Sequence, residues 1–124
     1  MSRILLIDDE LMFREMLRAA LEGMGHEVTE AGDGRKALGL YLPSRFDLVI
    51  TDLIMPEVEG IETIIELRKL NPKVKIIAMS GGGRVTSVDY LQIARQIGAK
   101  KILVKPFQYE ELKAVIDEML QAAE

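Results

Sequence analysis

Four short apolar runs in this chain end on polar residues of the types that phosphoryl chemistry requires. Ile4 to Ile7 runs into Asp8-Asp9-Glu10, Leu48 to Thr51 into Asp52, the run ending at Met79 into Ser80-Gly81, and Ile102 to Val104 into Lys105-Pro106. If these runs lie side by side in a parallel sheet, three carboxylates from two strands meet one hydroxyl and one ammonium at a single edge. Such carboxylates repel one another unless a cation enters, and a hard, oxygen-rich pocket suits Mg²⁺ or Mn²⁺. A carboxylate beside such an ion can attack phosphorus and form an acyl phosphate. Lys105 would then offset charge on the phosphoryl oxygens while Ser80 donates a hydrogen bond to them. Asp52 stands alone on its strand.

The elements that must position these residues follow from the apolar pattern. Strands are expected at 4–8, 28–31, 48–51, 75–79 and 102–104, short and rich in β-branched residues and Leu. Between them run helix-period segments. Leu17, Leu21 and Met24 share one face, Ile61, Ile64, Ile65 and Leu67 mark a third helix, and Leu112, Val115, Ile116, Met119 and Leu120 recur at i, i+3, i+4, i+7 and i+8. Asp33-Gly34 starts the second helix, Gly23 to Gly25 ends the first, Asn71-Pro72 stops the third, and a fourth over 85–97 ends at Gly98. Alternating strand and helix predict a parallel sheet covered on both faces, a doubly wound (βα)5 unit that uses residues 1–124 as one domain and leaves none for an output domain. Ligands in such sheets bind beyond the carboxyl ends of the strands, where all the polar residues above are expected.

Composition narrows the possibilities further. The 124 residues are 48% hydrophobic but only 5% aromatic, so the core must be built from Ile, Leu, Val, Ala and Met, with the methionines on helical faces expected inside it. There is no cysteine, hence no disulfide or thiolate metal site. The amino-terminal apolar run is too short for a membrane span or a secretory signal, and a cytoplasmic location is expected. Sixteen Lys plus Arg against 20 Asp plus Glu give a net charge of −4, and the basic residues are scattered, which argues against direct nucleic-acid binding. His26, the single histidine, precedes the second strand and is expected on the surface, away from the site.

Taken together, Asp8-Asp9, the segment from Asp47 through Asp52 to Gly60, Ser80-Gly81 and Lys105-Pro106-Phe107 resemble the receiver domain of bacterial two-component response regulators. The likeness covers nearly the whole chain in order. It implies a flavodoxin-like three-layer sandwich with sheet order 2-1-3-4-5. It also implies Asp52 as phosphoacceptor, a Mg²⁺ held directly by Asp9 and Asp52 and partly through water by Asp8, and the backbone carbonyl of Ile54 as a further ligand. Ser80 and Lys105 are implied to contact the phosphoryl group, and the Lys105–Pro106 bond to be cis. The implied donor is a phosphohistidine on a sensor histidine kinase or phosphotransfer protein, and the implied output a protein–protein contact by a monomer or a phosphorylation-dependent dimer. On this reading the chain is a signal transducer that assists its own phosphorylation and dephosphorylation, not an enzyme acting on a separate substrate.

Other readings of the same residues are weaker. Asp8 and Asp9 could cap the first helix, but two in succession exceed what capping needs. An aspartate-based phosphatase normally carries its general acid two residues beyond the nucleophile, where this chain has Ile54. A flavin carrier of the same sheet order would need a first loop that cradles phosphate, which Asp8-Asp9-Glu10 would repel. Gly81-Gly82-Gly83 lacks the following Lys-Ser or Lys-Thr of a nucleotide loop. The chain also departs from many receivers in carrying Ile102 where an aromatic residue often stands three positions before the lysine. An isoleucine cannot swing a ring, so the glycine run and residues 84–88 are the expected moving parts.

Overall fold

The computed structural model describes residues 2–53, 59–81, 92 and 95–121. Five strands, β1 (Arg3–Ile7), β2 (Glu27–Ala31), β3 (Leu48–Asp52), β4 (Ile76–Gly81) and β5 (Lys101–Lys105), form one all-parallel sheet in the order β2-β1-β3-β4-β5. Helices α1 (Leu11–Gly23), α2 (Gly34–Leu40) and α3 (Glu59–Leu70) follow the first three strands. The end of α4 is described at residues 95–97, and α5 (Tyr109–Gln121) closes the fold.

Each strand divides its side chains between two cores, as a sheet covered on both faces requires. Leu5, Ile7, Val49, Ile76 and Ala78 pack with Ala37 of α2 and with Ile64 and Leu67 of α3. Ile4, Leu6, Leu48, Ile50, Met79 and Leu103 pack on the opposite face with Leu17 and Leu21 of α1 and with Leu112, Ile116 and Met119 of α5. The central strand β3 is buried along its whole length, whereas β5, at the sheet edge, leaves Val104 exposed.

The helix boundaries have local causes. The Asp33 carboxylate accepts the Lys36 amide at 2.8 Å and caps α2, while α3 stops one residue before Asn71-Pro72. Gly25, just past α1, takes a left-handed φ of 97°, a conformation that glycine adopts without strain.

Several sequence expectations need correcting. Ser80 and Gly81 lie inside β4, because the strand continues while it can pair with Val104 and Lys105. Ile65 is exposed on α3, since its neighbours Ile64 and Leu67 already fill the buried stripe. Met12 and Met16 are also exposed, because α1 buries the face of Leu17 and Leu21 instead. His26 is half-buried rather than on the surface: its Nδ1 accepts the Ser2 amide at 3.3 Å, and burial lowers its pKa. Most of the fourth helix over 85–97, the carbonyl of Ile54, and residues 82–88 of the expected moving loop lie outside the described residues. Among the described residues no helix is long and apolar enough to cross a membrane.

Candidate functional site

The alternation that builds the α1/α5 core also delivers the site. Asp8 continues the series of Ile4 and Leu6, Asp52 that of Leu48 and Ile50, and Lys105 follows Leu103, so all three side chains leave the sheet on the same face at its carboxyl edge. The Lys105 ammonium lies 2.9 Å from Asp8 Oδ2 and 3.4 Å from Asp52 Oδ2. Asp8 is fully buried and Asp52 nearly so. Buried carboxylates of this kind persist only when paired, and here one cation serves both.

Asp8 uses every polar atom it has. Its amide donates to the Ala31 carbonyl at 3.2 Å, extending the β1–β2 ladder by one residue. Its Oδ1 accepts the Glu10 amide at 2.9 Å, its Oδ2 accepts from Lys105, and its carbonyl accepts from Arg14 Nη1 at 2.7 Å. Arg14 is held in turn by Glu30 of β2, whose carboxylate accepts Arg14 Nε at 2.8 Å and Arg18 Nη1 at 2.7 Å. The hydrogen bonds from Arg18 and Arg14 hold the Glu30 carboxyl below the usual carboxylate range, and the same contact raises Arg18. This bracket fixes the Asp8–Asp9 peptide, and Asp9, the next residue, is exposed.

Asp8, Asp9 and Asp52 each offer a carboxylate oxygen, and these oxygens lie within 4.8 Å of one another. Three hard anionic donors on rigid strand ends are compatible with Mg²⁺. The floor beneath Asp52 depends on Gly60, where a Cβ would overlap the backbone oxygens of Asp52 and Leu53, so the start of α3 can approach β3 only with glycine there. A cavity of about 340 Å³ beside Tyr41, Phe46 and Asn71 lies at the amino end of the sheet, opposite these carboxylates.

Ser80 stands apart from this cluster. It is fully buried, and its Oγ has no hydrogen-bond partner among the described residues. A buried hydroxyl left unsatisfied costs about 1–3 kcal/mol. In the register it lies between Met79, which pairs with Asp52, and Gly81, which pairs with Lys105. Its backbone therefore lies one register step from the partner residue of each, and its Oγ bonds to neither. The Lys105–Pro106 bond is cis, as the resemblance implies. Ile102 is half-buried and packs against the α2/α3 core.

Sequence reading missed Phe13, Arg14 and Glu30. Phe13 places its ring under the Lys105 ammonium, 3.9 Å from Nζ to the centroid. The signal for Phe13 and Arg14 was their place on the first turn of α1, close after the acidic pair, but the partner Glu30 emerges only from the β1–β2 register.

Comparison with known proteins agrees with this geometry. The sequence profile of the family described as "Response regulator receiver domain" matches residues 4–117. The chemotaxis protein CheY of Thermotoga maritima is 40% identical over 108 residues, covering 86% of this chain and 88% of that protein. The transcriptional regulatory protein ZraR of Escherichia coli K12 is 35% identical over 117 residues, which are 94% of this chain but 26% of that protein, so the chain spans about a quarter of that relative's length. Among solved structures, a response regulator receiver domain protein from Clostridium thermocellum superposes with a TM-score of 0.89 at 30% identity, covering 97% of this chain and 94% of that one. Vibrio cholerae CheY4 superposes with a TM-score of 0.85 at 31% identity, covering 97% and 99%.

Proposed function

This chain belongs to the response regulator receiver domain family, and on that premise we propose that its phosphoacceptor is Asp52 and that Asp8, Asp9, Lys105 and Ser80 serve the transfer. The observation that carries the assignment is the Lys105 ammonium bridging Asp8 and Asp52 at the carboxyl edge of the sheet, with an Asp9 oxygen within 4.8 Å of theirs. Asp52 is the carboxylate at the end of the central strand, which is buried along its whole length.

A carboxylate oxygen of Asp52 attacks the phosphorus of a phosphohistidine, the P–N bond breaks, and the departing imidazole keeps the electron pair and takes up a proton. Lys105 moves from its two carboxylate partners to the transferred phosphoryl oxygens, and Ser80 Oγ gains the acceptor that it lacks among the described residues. Asp9 and Asp8, with Asp52 and the carbonyl of Ile54, are the residues that would hold Mg²⁺, or Mn²⁺ in its place. When bound, that ion neutralises charge that builds up between the carboxylates and the phosphoryl group.

The donor is a sensor histidine kinase or phosphotransfer protein, and the output is a changed protein-binding surface. Such a chain works in the cytoplasm, as a transducer that assists its own phosphorylation and dephosphorylation. Incubation with a small acyl phosphate and Mg²⁺ followed by intact-mass measurement should show one added phosphoryl group, absent from Asp52→Asn. A label mapped to Ser80 or any other residue would overturn the assignment.

A further inference from the structure

Lys105 has a third neighbour that neither pairing nor metal chemistry requires. Phe13, on the first turn of α1, lays the face of its ring 3.9 Å from the ammonium, on the helix side of the two carboxylates. The ring does not stand alone: Phe107, two residues beyond Lys105, meets it edge-on, with centroids 6.1 Å apart and planes at 87°. Lys105 thus lies between two carboxylates on the sheet and an aromatic face on the helix, and the residue that braces that face belongs to its own strand-end loop.

The chemistry of these partners differs in a way that bears on the transfer. The Asp8 hydrogen bond is directional and anionic, and it must be given up when the ammonium turns to a phosphoryl oxygen. The attraction of a cation to an aromatic face is broad in angle and survives small displacements, and it offers no anion to compete with the incoming group. A lysine side chain is otherwise a flexible four-carbon stem. We propose that Phe13 is a positioning residue for the phosphoryl transfer: it holds the Lys105 ammonium over Asp52 while its hydrogen bonds are exchanged from carboxylate to phosphoryl oxygen. The inference rests on the phosphoacceptor reading of Asp52.

The test compares Phe13→Leu, which keeps apolar bulk without a π face, with Phe13→Tyr, which keeps the face. In the unaltered protein the Lys105 side-chain methylene protons next to Nζ should be shifted upfield by the ring current, and this shift should vanish in Phe13→Leu and persist in Phe13→Tyr. With a small acyl phosphate as donor and saturating Mg²⁺, Phe13→Leu should be phosphorylated about three- to tenfold more slowly, the range that a partly desolvated cation–π contact corresponds to, while Phe13→Tyr stays within about twofold. Mg²⁺ affinity should be the same in all three. A Phe13→Leu rate equal to that of the unaltered protein would overturn the inference alone. So would an equal slowing of Phe13→Tyr, which would mark a packing role only, or the absence of the upfield shift. Failure of the unaltered protein to be labelled at all would overturn the phosphoacceptor reading and this inference with it.

Discussion

Replacing Lys105 by Met removes the cation that, among the described residues, meets both Asp8 and Asp52, while keeping most of the side chain's bulk. At an effective dielectric constant of about 20, a full charge pair at the 2.9 Å seen for Asp8 is worth about 6 kcal/mol gross, and the pair at 3.4 Å about 5 kcal/mol. Desolvation of the three groups cancels much of that. The relevant figure is the cost of leaving a buried carboxylate without its partner, about 3–5 kcal/mol. Lys105 keeps some contact with solvent, its side chain being 15% exposed, so the lower end, about 3 kcal/mol, is expected. Urea unfolding in the presence of a chelator should show this loss as a lower midpoint with an unchanged slope. Millimolar Mg²⁺ should then stabilise the variant more than the unaltered protein, because the ion restores the missing positive charge. At free metal about tenfold above its dissociation constant, linkage alone supplies roughly 1.4 kcal/mol. A Lys105→Met protein as stable as its parent in chelator would refute the view that this lysine compensates the buried pair. A Mg²⁺ effect no larger in the variant would refute the view that ion and lysine answer the same charge.

Three further outcomes follow from the surrounding contacts. Asp9→Asn should weaken Mg²⁺-dependent stabilisation more than Asp8→Asn, since Asp9 is exposed and open to the ion while Asp8 is already committed to Lys105 and Glu10; midpoint shifts against Mg²⁺ concentration would show it. Glu30 has a folded-state pKa below its ordinary 4.5, so its contribution to stability is fully present above that value and is lost as pH falls through the lower one. Glu30→Gln should remove that part of the acid-unfolding slope and leave stability near neutral pH reduced, whereas an unchanged acid limb would show that the bracket carries no linkage. Gly60→Ala should cost about 2 kcal/mol or more, because backbone of β3 and not a flexible side chain lies in the way of the added methyl, and a thermal midpoint unchanged by the substitution would contradict the close approach.

The parts of the site legible in the sequence were those in which residue type and strand position carry the chemistry together. Asp8, Asp9, Asp52 and Lys105 each follow an apolar run that could only be a buried strand, and a parallel sheet leaves their side chains no other edge to gather on. The α2 cap at Asp33 and the stop at Asn71-Pro72 were readable because one or two residues decide them. The face of α1 that carries Leu17 and Leu21 was legible too and is the buried one. What its rotation brings to the sheet edge from the first turn was not. That same rotation aims Phe13 at Lys105 and Arg14 at the Asp8 carbonyl, so neither contact was visible beforehand. Glu30 looked like one more strand carboxylate until the β1–β2 register set it beside α1.

The resting site is balanced unevenly, and the imbalance bears on how it switches. Charge is settled locally: one ammonium meets two buried carboxylates, and Arg14 and Glu30 hold the backbone from which the first of them projects. Hydrogen bonding is not, because Ser80 Oγ is buried without a partner among the described residues, one register step from both Asp52 and Lys105. A phosphoryl group on Asp52 brings three acceptor oxygens to that edge. On the proposed reading it draws Lys105 away from Asp8 and offers Ser80 an acceptor in the same event. Both movements pull on β4 and β5, whose ends are paired through Ser80 with Val104 and Gly81 with Lys105. Ile102 sits two residues back from that paired end, half-buried against the α2/α3 core, and as a β-branched residue with few χ1 choices it resists reorientation. On the proposed reading the strain falls on the strand end at Ser80-Gly81, the last described part of β4 before the glycine run, and not on the side chain at 102.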